Sequence, residues 1–97
     1  MELHQITEAD IRSITGDAGV LRRGKEYWKR KRVHSLYLKG NNVKAKVRGS
    51  SIYTVTIKTQ IKNKKDTSCT CPYEWGVCKH VIAVLYALMY QYPQKKQ

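Results

Sequence analysis

The sequence predicts a small α+β domain. N-terminal helices come first, then an antiparallel sheet of three to four strands, then a C-terminal helix behind a Cys3His cluster. Three observations carry that prediction. Apolar residues recur with a helical period up to about residue 31, change to an alternating period in three runs between residues 33 and 59, and form an almost wholly apolar helical run after residue 80. Glycine-containing turns separate the alternating runs, as in a meander of neighbouring strands. All three cysteines fall between residues 69 and 78, directly ahead of the last helix.

Thr7 is placed to cap a short helix over 8–14, with Ile6 and Ile11 at hydrophobic-staple positions and Gly16 as its stop. Asp17 caps a second helix reaching about Lys31. On it Val20, Gly24 and Tyr27 form one stripe flanked by Leu21 and Trp28, and Trp28 is expected in the core. Arg22, Lys25, Lys29 and Arg32 recur at steps of three or four, which predicts a separate basic stripe.

Strands are expected over 33–39, 43–48 and 52–59, rich in β-branched and aromatic residues. Val43, Ala45 and Val47 face one way while Lys44, Lys46 and Arg48 face the other. Tyr53, Val55 and Ile57 likewise oppose Thr54, Thr56 and Lys58. One face of the sheet is therefore buried and the other wet and basic. Gly40-Asn41-Asn42 and Gly49-Ser50-Ser51 supply the turns. A lysine-rich connection over 61–66 has room for a short fourth strand. The helix over 80–91 is ended by Pro93, and its apolar residues, Val81, Ile82, Val84, Leu85, Leu88 and Met89, must be buried in its own core or against a partner. The tail 94–97 is polar and expected to fray.

At 97 residues the chain is expected to form one domain, 1–97, with helices and sheet in 1–66 and the cysteine cluster and last helix in 67–92. So small a domain buries only about 60–65% of its unfolded surface, and a metal adds usefully to its thin core. Three cysteines cannot all pair within one chain. Their crowding suits a metal in a reducing compartment better than a disulfide framework.

The constellation is Cys69-x-Cys71, six residues, then Cys78-x-His80. Zinc favours four tetrahedral thiolate and imidazole ligands, and a closed set of four marks a structural site. Pro72 and Gly76 provide bends that let the loop return both pairs to one point. A catalytic Cys–His pair would need an orienting acid or amide and a cleft, and would leave two cysteines without purpose. A lone C-x-C could be a redox pair, but the adjacent C-x-H argues for zinc. His4 and His34 read as surface residues rather than ligands.

These residues resemble the SWIM zinc finger, a family defined by C-x-C, a variable loop and C-x-H: here Cys69-Thr70-Cys71-Pro72-Tyr73, then Cys78-Lys79-His80-Val81-Ile82-Ala83. Upstream, Arg23-Gly24 with Tyr27 and Val33 resembles the opening of prokaryotic members, and Val47-Arg48-Gly49-Ser50 with Tyr53 and Val55 resembles their hairpin. The resemblance implies a zinc-binding module used for DNA binding or protein contacts, occurring alone, beside chromatin-remodelling-type helicases or within transposases. This chain has no phosphate loop of the G-x-x-x-x-G-K-[ST] type and no acidic metal triad. No helicase or transposase activity is therefore expected in these residues, and the chain is not expected to be an enzyme.

Nineteen Lys and Arg against seven Asp and Glu give a formal charge of +12. Three thiolates and one Zn²⁺ would change that to +11. Such a surface predicts an anionic partner, with nucleic acid, and DNA in particular, leading. The expected contacts are Arg22, Arg23, Lys25, Lys29, Arg30 and Arg32 on the second helix and Lys44, Lys46 and Arg48 on the sheet, with Lys58 beside them. Tyr73 and Trp75 are expected to pack over the metal rather than to stack on bases. The alternative is a protein-interaction module or an accessory subunit of a helicase- or transposase-type machine, docking through the apolar C-terminal helix with Tyr86, Tyr90 and Tyr92. The sequence shows no apolar signal region at its start, and its longest apolar run is shorter than the roughly 20 residues a bilayer needs. No membrane contact and no small-molecule substrate are expected, and the expected location is the reducing cytoplasm, nucleoid association included.

Overall fold

Thr7 begins the first long helix in the computed structural model, which describes residues 1–73 and 76–93. Its hydroxyl accepts the Asp10 amide at 3.2 Å while the Asp10 carboxylate accepts the Thr7 amide at 3.1 Å, a reciprocal capping box. Helix α1 spans Glu8–Ile14 and buries Ile11 and Ile14. It stops without the expected help of Gly16. Thr15 turns extended, and its amide and hydroxyl both reach the Ile11 carbonyl, at 3.1 and 2.7 Å.

Asp17 caps α2, Ala18–Lys29, by accepting the Gly19 and Val20 amides at 2.6 and 3.2 Å. The helix ends two residues before the expected boundary. Lys31 adopts φ 57, its amide bonds to the Trp28 carbonyl, and the Arg32 amide bonds to the Tyr27 carbonyl. This is a Schellman close with a non-glycine residue in the left-handed position.

The sheet is an antiparallel meander of β1 Val33–Lys39, β2 Asn42–Arg48, β3 Ile52–Lys58 and β4 Thr67–Cys69, in that spatial order. The fourth strand lies beyond the 61–66 connection rather than within it. Lys64–Asp66 forms a 3-10 turn, in which the Asp66 carboxylate accepts the Lys62 and Asn63 amides. The polar N-terminus extends the structure further. Met1 and Leu3 exchange backbone bonds with Ile61 and Thr59, and Leu3 is fully buried.

Helix α3, Lys79–Tyr90, sits at the centre. Lys79, Ile82, Tyr86 and Tyr90, spaced three and four apart, meet α2. The opposite side, Val81, Val84, Leu85 and Leu88, is buried and turns to the sheet, all four strands of which α3 touches. The layers are therefore sheet, α3, then α1 and α2. The apolar surface of α3 is used on its own core, and Tyr86 is inside it, stacked on Trp28 as Tyr90 is. Of the tyrosines expected at a docking face, Tyr90 is exposed, while Tyr92 is partly buried edge-on to His4. The Tyr86 hydroxyl donates to Glu8 at 2.9 Å, tying α3 to α1. That bond, with Lys25 at 3.2 Å, holds the Glu8 carboxyl below its ordinary range; burial and Glu8 push the Tyr86 phenol up to about 12.

Because β4 and α3 complete the sheet and core, the division at residue 66 is one of chain order only. The tail 94–97 and Trp75, for which fraying and packing over the metal are expected, lie outside the described residues. No helix among the described residues is long and apolar enough to cross a membrane.

Candidate metal centre and basic surfaces

β4 carries Cys69 to its last position, and Cys71 follows in the loop. Cys78 is the N-cap residue of α3, and His80 lies in its first turn. The Cys78 side chain makes no capping bond to the helix, which leaves its sulfur for other use. Gly76, at φ 126, takes a backbone geometry that other residues rarely adopt, and the chain bends there to bring the second pair back.

The donor atoms of Cys69, Cys71, Cys78 and His80 all lie within 4.8 Å of one another. His80 Nδ1 is 3.7 Å from Cys69 Sγ and 3.8 Å from Cys78 Sγ. A tetrahedral ion with Zn–S of about 2.3 Å and Zn–N of about 2.0–2.1 Å would space such donors by about 3.5–3.8 Å. The donor set fits zinc, and the two His80–sulfur separations match that spacing. Bound there, the ion would be a structural crosslink between the end of β4 and the start of α3. The sulfurs are partly prepared for it. Cys78 accepts a hydrogen bond from Cys69 and another from His80, which lower its pKa to about 4 against the opposing effect of burial. Cys69, which gives the hydrogen bond and is itself half-buried, is pushed well above the ordinary thiol range. Zinc is bound by thiolates, so metal binding removes the thiol protons.

His80 is held by rings. Tyr53 stacks on it at 4.4 Å and Tyr27 meets it edge-on at 5.5 Å. A side chain at Gly49 would come within 3.3 Å of His80 Nε2 and 3.2 Å of the Tyr53 ring. The glycine therefore admits the imidazole as well as making the β2–β3 turn. Sequence pattern identifies Gly49 only as a turn and Tyr53 only as a buried-face residue; their joint proximity to the Cys-x-His histidine is a tertiary fact. Tyr73 is exposed and lines the recesses beside Cys71 and Cys78.

The predicted basic contacts separate into two surfaces that point apart. On α2, Arg22, Arg23 and Lys29 are exposed and free of ion pairs among the described residues. Lys25 is drawn to Glu8 at 3.2 Å, and Arg30 to Glu26 at 3.3 Å. Arg32 lies past the helix end, donating to the Arg48 carbonyl at 3.2 Å with its guanidinium over Tyr27. The expected four-cation stripe is therefore broken by one ion pair and by the early helix end. Across the molecule, the open face of the sheet carries Lys44, Lys46 and Arg48 on β2 and Lys58 on β3. Lys58 pairs with Asp66 at 3.6 Å, while the other three have no acidic partner among the described residues. The other acids among the described residues are used elsewhere: Asp10 and Asp17 in caps, Glu8 and Glu26 in helix pairs, Glu2 beside His4.

Residues 53–89 match the family model of the SWIM zinc finger. The match runs from Tyr53 through the four metal-ligand candidates into α3. No curated protein and no solved structure matched the chain.

Proposed function

We propose that this zinc-binding module, whose residues 53–89 match the SWIM zinc finger, binds nucleic acid, DNA in the first place, through the open face of its sheet. The observation that carries the reading is the row Lys44, Lys46, Arg48. These side chains repeat along one face about 6.8 Å apart, on an interior strand, and none of them is in an ion pair among the described residues. Long cations on a regular element can follow a phosphate backbone with little regard to sequence. The zinc site supports them indirectly by fixing β4 to the core beneath. The reading gives these residues no catalytic step. Docking of a protein through α3 has less support, because that helix is buried in its own core.

Binding to mixed-sequence DNA should weaken steeply with salt. Lys46→Gln with Arg48→Gln should lower the log–log slope by about 1 for each phosphate no longer neutralised, with little change in sequence preference. Arg22→Gln with Lys29→Gln, on the opposite side, should leave affinity and slope near wild type. A fluorescence-anisotropy titration at several salt concentrations reads both variants. The reverse pattern would move the interface to α2, and no binding by wild type at low salt would end the proposal.

A further inference from the structure

Strand β1 contains an irregularity that changes what the open face presents. His34 pairs with Lys46, but Tyr37 pairs with Lys44, so two residues of β1, Ser35 and Leu36, stand opposite Ala45 alone. Ser35 has φ 53, a left-handed conformation that a non-glycine residue adopts at a cost. Regular alternation would put His34 and Tyr37 on opposite faces, since they are three apart. The bulge puts both on the open face, and Leu38 still pairs with Val43 on the buried one. Bulges characteristically re-aim a side chain in this way.

The re-aimed residue is a tyrosine with 46% of its surface exposed. Tyr27, Tyr53, Tyr86, Tyr90 and Tyr92 each pack against another ring; among the described residues Tyr37 has no ring partner and no side-chain hydrogen bond. Its row across the sheet continues through Lys44 to Thr56 and Ser68. From the next row of the same face, His34 with Lys46, toward the β2–β3 turn, His34, Lys46, Arg48 and Ser51 line a recess of about 510 Å³, with Ile52 exposed beside it.

We propose that this face is a platform for single-stranded nucleic acid, with an unpaired base stacked on Tyr37 and a neighbouring phosphate in the recess of His34, Lys46, Arg48 and Ser51. The inference rests on the nucleic-acid reading above and names the form of strand. A free aromatic ring among cations suits a base whose face is exposed, and a paired base offers none. Width argues the same way. Four strands about 4.8 Å apart span roughly 14 Å between their outer backbones, more than the roughly 12 Å of a duplex major groove. The face cannot enter that groove as a helix or a two-stranded ribbon does, but an open strand can lie across it.

The test uses the zinc-loaded full chain and a mixed-sequence DNA oligonucleotide, alone and annealed to its complement, at one salt concentration. The single strand should bind more tightly than the duplex. Tyr37→Ala should weaken single-strand binding by about 10- to 100-fold and duplex binding by less than about twofold. Tyr37→Phe, which keeps the ring and guards against misfolding as the cause, should bind like wild type. Quenching of tyrosine emission by the single strand should be weaker in Tyr37→Ala. Equal or tighter duplex binding, or single-strand affinity unchanged in Tyr37→Ala, overturns the platform. If Lys46→Gln with Arg48→Gln still weakens binding in that case, the broader nucleic-acid reading stands without it. A wild-type chain that binds neither form overturns both.

Discussion

Cys78→Ser is expected to release the metal and to unfold the loop between β4 and α3 while the rest of the chain keeps its fold. Cys78 is both the N-cap of α3 and one of the four donors, so its replacement removes the crosslink where the last helix starts. In isolated finger peptides zinc supplies apparently about 10–16 kcal/mol, which is the whole of their folding energy. This chain differs because α3 is also held by buried packing against the sheet and α2. We expect destabilisation by about 3 kcal/mol, enough to lower Tm by roughly 10–25 °C in a domain of this size. Hydrogen exchange should show protection abolished over residues 69–80 and kept, at a lower level, over 82–88 and in β2 and β3. Zinc removal from wild type by a chelator should reproduce that pattern. Protection unchanged at the start of α3 would mean that the helix does not depend on the metal.

Gly24→Ala is the second change expected to have a large effect, and it acts far from any ligand. A Cβ at this position would overlap Cβ and Cγ2 of Ile82 and approach the Lys79 carbonyl oxygen to 2.9 Å. Neither obstacle is the free end of a flexible side chain, so α2 and α3 must separate to admit it. Alanine favours a helix over glycine by about 1 kcal/mol, but overpacking a rigid interface costs about 1–3 kcal/mol or more. The clash should dominate, with net destabilisation of about 2 kcal/mol and a Tm lower by roughly 8–16 °C. Gly16→Ala is the control: the nearest outside atom to its Cβ is the Lys64 ammonium, 3.8 Å away. It should shift stability by no more than about 0.5 kcal/mol. Thermal unfolding followed by circular dichroism separates the two. Gly24→Ala combined with Ile82→Ala should cost less than the sum of the two single changes, since loss of Ile82 Cγ2 removes part of the overlap.

The features legible in the sequence are those set by local chemistry. Thr7 and Asp17 cap helices where their hydroxyl and carboxylate predict, and the alternation of Val43, Ala45 and Val47 with Lys44, Lys46 and Arg48 describes both faces of β2. The two cysteine-containing pairs converge as their spacing requires. The features that are not legible depend on partners distant along the chain. Leu3 is buried because the N-terminus pairs with 59–61, and no local pattern announces that. Lys25 has helical spacing from Arg22 and Lys29, yet Glu8 of α1 takes it out of their row. Helical spacing puts Gly24 on the correct stripe, while the reason for a glycine there is Ile82, far along the chain in α3. The bulge at Ser35 defeats periodicity by construction, because one extra residue reverses the alternation on which strand patterns depend.

Three sulfurs and one imidazole nitrogen are held together to bind a zinc ion that joins β4 to α3. X-ray absorption at the zinc edge, on protein purified without chelator, tests it most directly. One zinc per chain is expected, with three sulfur neighbours at about 2.3 Å and one nitrogen at about 2.0–2.1 Å. A folded chain without zinc, or a shell made mainly of oxygen and nitrogen, would contradict it.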